Sequence, residues 1–227
     1  METARLLKVD FHCHTFHSPD SLTAIDRLVK AARKNGMDRV VVTDHNLLAG
    51  ALEAKEAAPE LIIVGEEVQT TEGEFLAAFV TREVPKGLEP MEALKRLRDQ
   101  GAFISISHPF DAQRSGWPLE SLLQLAPLVD AMEVFNARVI SSAYNDEAFA
   151  FAEENHLPHT AGSDAHHPSE IGKAYSLVPE FNDADSLRKV IGQAAVGGEI
   201  SSPAVHFYSS WARMMKAFRE PGSTREN

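Results

Sequence analysis

Short apolar runs alternate along the chain with longer stretches whose apolar residues recur every three or four positions. The runs lie at 6–11, 39–43 (RVVVT), 61–65 (LIIVG), 75–80, 103–107, 130–135 and 158–161. They are rich in β-branched and aromatic residues and mostly lack the polar alternation of a half-exposed strand. Such runs predict strands buried on both faces, as in a parallel sheet. The stretches between them predict helices. In the first, Ile25, Leu28, Val29 and Ala32 share a face, with Thr23 placed to cap the start and Gly36 to close the end. Further helices are predicted at 47–57, 90–100, 119–125, 142–154 and 183–193. Strand–helix repetition indicates an α/β fold, as either a doubly wound sheet or a barrel. One connection differs. Only about ten residues separate LIIVG from FLAAFV, too few for a helical crossover, so this pair is expected to form an antiparallel hairpin. Residues 1–219 are expected to form one domain and 220–227 a frayed polar tail.

Charge and composition narrow the function classes. A net charge of −11 argues against an extended nucleic-acid surface, which would carry a basic patch. No apolar stretch approaches the ~20 residues needed to cross a bilayer. The opening METARLLKVDF lacks the apolar core of a secretory signal. A single cysteine, Cys13, excludes an internal disulfide and suits a reducing compartment. The expectation is a cytoplasmic protein without a membrane partner.

The chemistry gathers where the apolar runs end. Successive runs finish in or lead into DFHCHT, TDHN, GEEV, SHPF, EVFN and GSDAHH. In an α/β barrel the C-terminal strand ends share one mouth, so these scattered residues would meet there. His12 and His14 are two apart and project from one face of a strand, with Cys13 on the other. By itself such a pair is equally compatible with surface or capping histidines. Asp20 in the next loop could reach a metal, although alone it reads as a turn or N-cap residue. His17 is a weaker ligand candidate than Asp20. His45 ends the second run, with Asp44 placed to orient it or to cap the following turn. Of Glu66 and Glu67 only one can face the mouth, and the hairpin returns Glu74 to the same end. His108 ends the fifth run, and Asp164 and His166 repeat the two-apart spacing. Asp44, Glu66, His159 and His167 read best as capping or hydrogen-bonded residues. The same reading for His12, His14, His45, Glu67, His108, Asp164 and His166 together would require seven coincidences.

Taken in order, DFHCH, HSPDSL, VTDHN, GEEV, SHPF and GSDAH resemble the motifs of the PHP superfamily, named for its polymerase and histidinol phosphatase members. With its continuation to Val178 the resemblance covers about three quarters of the chain, and its length suits the stand-alone phosphoesterase type. The resemblance implies a distorted seven-stranded β/α barrel with a trinuclear metal site. It carries ligation onto His12, His14, Asp20, His45, Glu67, His108, Asp164 and His166. The family often has histidine where this chain has Glu74, so a carboxylate would take that place.

Imidazole and carboxylate donors without thiolate suit two or three divalent Zn, Mn or Fe ions. Three such ions held by Asp20, Glu67, Glu74 and Asp164 would leave a site charge of about +2, so an acidic protein could still attract phosphate. A metal-bound hydroxide, formed as coordination lowers the pKa of water from 15.7 to about 7, would attack phosphorus. Arg114 and Arg138 lie just beyond the fifth and sixth runs, where a guanidinium could hold two phosphate oxygens. The favoured reading is hydrolysis of a small phosphorylated substrate, such as a nucleotide or sugar phosphate. Hydrolysis of a non-phosphate bond by a similar barrel, or a non-catalytic metal-binding module, are the other two.

Overall fold

All seven apolar runs become strands. The computed structural model describes residues 5–114 and 116–219, so the expected frayed tail lies outside the described residues. The strands are β1 (Leu6–Cys13), β2 (Arg39–Val42), β3 (Ile62–Gln69), β4 (Glu74–Ala78), β5 (Phe103–Ile106), β6 (Ala131–Asn136) and β7 (His159–Gly162). Two further strands, β8 (Ala174–Pro179) and β9 (Ala195–Gly198), were not expected and extend the sheet to nine. The order is β7-β6-β5-β4-β3-β2-β1-β8-β9. Pairs β1–β2, β2–β3, β5–β6 and β6–β7 are parallel, whereas β4 runs antiparallel to β3, as the short connection required, and also to β5.

The sheet curls until its first strand meets the segment after β7. Asp164 N–H donates to the carbonyl of His12 at 2.7 Å, and His14 N–H to the carbonyl of Ala165 at 2.9 Å. The result is a nearly closed barrel, with β8 and β9 as an antiparallel extension beside β1. Strand residues are apolar on both faces because both are covered. Leu7, Val9, Phe11, Val41, Ile63 and Phe103 pack together on one side. Val40, Val42 and Ile62 pack on the other against helices α1 (Ile25–Lys34) and α2 (Ala49–Ala57).

The remaining helices are α3 (Pro90–Arg98), α4 (Leu119–Leu125), α5 (Ser142–Glu154), α6 (Ala184–Val190) and α7 (Val205–Arg219). α7 corresponds to no predicted element. Thr23 does not cap α1. The N-cap is Ala24, and the Thr23 hydroxyl donates instead to the carbonyl of His166 at 2.9 Å, a tertiary acceptor that outcompetes the local one. Gly36 does close the helix, in the left-handed conformation with φ +68°. Among the described residues no helix is long and apolar enough to cross a membrane.

Candidate metal centre

The strand ends converge as barrel geometry requires, and Glu67 is the hub. Its Oε2 lies 3.2 Å from His12 Nε2, 3.3 Å from His14 Nε2 and 3.0 Å from His45 Nδ1. Its Oε1 lies 3.2 Å from His108 Nε2 and accepts from the Ser107 hydroxyl at 3.1 Å. Glu74, returned by the hairpin, lies 3.4 Å from His108 Nε2. On the other side of His14, Asp164 Oδ1 is 3.3 Å away. Asp20 Oδ1 is 3.2 Å from His166 Nε2 and 3.6 Å from His45 Nε2. All nine residues singled out as metal ligands therefore meet at one mouth. His17, His159 and His167 stay outside it, pairing with Glu53, Glu153 and Ser169.

The charges in this cluster fit bound cations. Three overlapping groups, His14/His45/His166, His12/His14/Asp164 and His45/Glu67/Glu74, each bring donor atoms within 4.8 Å of one another. Glu67 Oε2 and Asp20 Oδ1 are buried without a hydrogen-bond donor of good geometry. His12 Nε2 and His14 Nε2 face each other at 3.1 Å. Burial, with His166 and His45 close by, pushes His14 well below the usual imidazole range. Burial and the charge of Glu67 push Glu74 up. Glu67 itself resists burial and is held well below the ordinary carboxyl range by His12 and His45. The repulsion between Glu67 and Glu74 would be relieved by a divalent cation, and an oxygen- and imidazole-rich donor set suits such ions.

A second layer fixes the imidazoles. His12 Nδ1 lies 3.0 Å from Glu133 Oε1, while Glu133 Oε2 accepts from the backbone N–H of His108 at 2.9 Å. His14 Nδ1 lies 3.1 Å from the Ser18 hydroxyl, which donates to Asp44 at 2.7 Å. Asp44 thus acts on His14 through Ser18 and also accepts from the N–H and hydroxyl of Thr15, rather than orienting His45. Two site residues, His108 and Asp164, sit in left-handed backbone (φ 21° and 52°), a conformation costing ~1–3 kcal/mol where it is strained.

The two arginines separate. Arg114 donates to Asp111 at 2.9 Å, to Asn136 at 3.1 Å and to Asp164, and lines a cavity of about 340 Å³ over the cluster. Arg138 borders the same cavity but is only 4% exposed. It donates to the Ser209 hydroxyl at 2.8 Å and the Val205 carbonyl at 3.4 Å, and lies 3.5 Å from Glu170, tying α7 to the barrel. It is a strut rather than a free rim group. Glu133, Ser18 and Asn136 were not singled out from the sequence. Glu133 sits in EVFN, whose place at a strand end was the available signal.

A family model described as PHP-associated matches residues 143–196. A Bacteroides vulgatus two-domain protein containing a predicted PHP-like metal-dependent phosphoesterase superposes with a TM-score of 0.72 at 22% identity, over 88% of this chain and 66% of that one. The chain thus spans just under two thirds of that protein. A candidate metal-dependent phosphoesterase from Bifidobacterium adolescentis gives 0.60 at 20% identity, over 80% and 94% of the two chains. An uncharacterized protein of Methanocaldococcus jannaschii is 36% identical over 180 residues, covering 78% of this chain and 72% of its own. The chain belongs to the PHP superfamily.

In this PHP chain the Glu133–His12 contact gives a direct test of the second layer. Glu133→Gln keeps an acceptor for His108 N–H but removes the charge facing His12. Loss of such an outer partner typically costs 10–100-fold in metal affinity or activity. Metal titration of the variant is expected to show a loss in that range, and unchanged affinity would remove Glu133 from the support of the site.

Proposed function

We propose that the protein is a metal-dependent hydrolase that cleaves a small phosphoester. The observation that carries this reading is the Glu67 hub, where one buried carboxylate gathers four imidazoles at the mouth of the barrel. His12, His14, Asp20, His45, Glu67, Glu74, His108, Asp164 and His166 would hold two or three divalent ions. Ions bound there would supply Lewis acidity and a water of lowered pKa. The chain's own part is placement. Arg114, fixed by Asp111 and Asn136, presents a planar cation to the cavity and suits two oxygens of a phosphoryl group. Glu133 and Ser18 hold His12 and His14 in fixed tautomers and orientations. The cavity walls bring the ester close to both.

Purified protein reconstituted with Mn(II) or Zn(II) is expected to hold two to three equivalents of metal and to release phosphate from a panel of phosphoesters. Nine convergent donors are too many for one ion of four to six ligands. At most one equivalent after reconstitution would sink the multinuclear reading. Cleavage of C–N or carboxyl ester bonds without phosphate release would move the protein to another hydrolase class. Metal binding with no turnover would make it a regulatory module.

A further inference from the structure

Helix α7 faces the opposite way from an ordinary surface helix, which buries its apolar stripe. Only small or polar side chains anchor its inner side. Val205, Ser209 and Ala212 are buried there, and Arg138 donates to the Ser209 hydroxyl at 2.8 Å. Arg213 donates to Asp20 at 2.8 Å, and Lys216 donates to the backbone carbonyls of Phe16 and Ser18. The Tyr208 ring stacks on His167 with centroids 4.5 Å apart. These contacts fix how the helix is rolled, and they leave its large apolar residues outside. Phe207, Trp211, Met214 and Phe218 are 77%, 54%, 43% and 76% exposed.

Those four residues follow one another at intervals of 4, 3 and 4, the repeat that keeps a single seam of a helix turned toward a partner helix. The positions flanking the seam, Tyr208, Ser210, Met215 and Ala217, are uncharged. In a chain where 24% of residues are charged, a seam bare of charge matches the core of an interface and not an ordinary wet surface. At ~200 Å² for each large side chain, the exposed fractions of the four and of Tyr208 leave roughly 600 Å² in one strip. That is the upper end of what a monomer shows, and close to the ~800 Å² that each partner gives to a standard interface. The seam is also complementary to itself. Turned end for end about an axis between Ala212 and Arg213, it sets Phe207 opposite Phe218 and Trp211 opposite Met214, as a two-fold contact requires.

We propose that α7 is the interface of a two-fold homodimer, in which the helices of two copies pair antiparallel through this seam. Phe207 packs against Phe218 of the partner subunit at each end, and Trp211 against Met214 of the partner subunit in the middle. Arg213 and Lys216 lie on the inner side, so no like charges meet across the axis. Pairing also holds each α7 against its own barrel mouth, because the inner side of the helix grips Asp20 and the loop at 16–18.

Sedimentation velocity of the purified protein from ~1 to ~100 µM tests this, because contacts of standard size dissociate at micromolar concentration or below. A dimer is expected over most of that range. Trp211→Lys and Met214→Lys place charges at the centre of the seam, and each is expected to raise the dissociation constant about thirtyfold or more. Leu119→Lys, at a 59% exposed position on α4, is expected to leave it unchanged. Cross-linking reads the geometry independently, since the native cysteine, Cys13, is buried. Phe207→Cys and Phe218→Cys, mixed and oxidised with diamide, are expected to form a disulfide between the two variants. Neither is expected to do so alone, because like positions lie about 16 Å apart along an antiparallel pair. A monomer at the highest concentration would overturn the proposal, and its co-sedimentation with phosphatidylglycerol vesicles would give the seam to a lipid surface instead. A dimer indifferent to both seam lysines, or equally weakened by Leu119→Lys, would also overturn it, as would Phe207→Cys cross-linking efficiently to itself.

Discussion

Glu67→Gln is expected to lower turnover by about a thousandfold or more and to deplete bound metal, whereas Glu66→Gln, one residue away, keeps both. The two side chains leave β3 on opposite faces. Glu67 meets His12, His14, His45 and His108. Removing its charge leaves those imidazoles without the anion that faces them all, and ligands acting as a unit lose far more than one share. Glu66 instead accepts from the backbone N–H of Val84 at 3.1 Å, away from the mouth. Burial raises its carboxyl from the ordinary 4.5 to about 8. The folded protein therefore holds a proton there that the unfolded chain has released, and stability falls as pH rises between those values. Glu66→Gln is expected to flatten that fall in chemical denaturation while activity persists. Equal loss of turnover in both variants would mean that Glu67 has no special place.

The strands were readable because both of their faces are covered, which leaves continuous β-branched runs such as RVVVT and LIIVG. The hairpin was readable from chain length alone, and its register then returned Glu74 to the mouth. Ligand positions followed because two-apart spacing on a strand puts His12 with His14 on one face. The second layer was harder. Glu133 serves His12 across 121 residues, and no local spacing encodes that pairing. Arg114 and Arg138 both follow strand ends, and only burial separates a cavity arginine from a strut. β9, with the sequence AVGG, has too little β propensity to stand out, and its partner β8 holds it in place. α7 has an apolar spacing that could be read as a helix, but ordinary amphipathic logic would place that stripe inward, the reverse of what is found.

Gly162→Ala is expected to damage both the fold and the site, although it adds a single methyl group. Gly162 ends β7, the barrel strand that closes on β1. A Cβ there would lie 2.2 Å from the Cβ of His12, 2.7 Å from Glu133 Oε1 and 3.0 Å from the backbone nitrogen of His12. Neither a strand backbone nor the root of a side chain can swing aside, so β1 and β7 would have to separate by more than about 1 Å to reach ordinary contact. That seam carries the bond from Asp164 N–H to the His12 carbonyl and sets the distances among His12, His14, Asp164 and His166. Overpacking of this kind costs about 1–3 kcal/mol in stability. A misplacement of about 1 Å in catalytic groups can cost a further hundredfold in rate, so activity should suffer more than stability. Gly192→Ala is the control, because nothing lies within 4 Å of its added Cβ. Thermal unfolding and metal titration of the two variants would separate the cases. If Gly162→Ala melted within about 2 °C of the wild type and kept full metal affinity, the closed seam would not be what holds the ligands of β1 and those following β7 together.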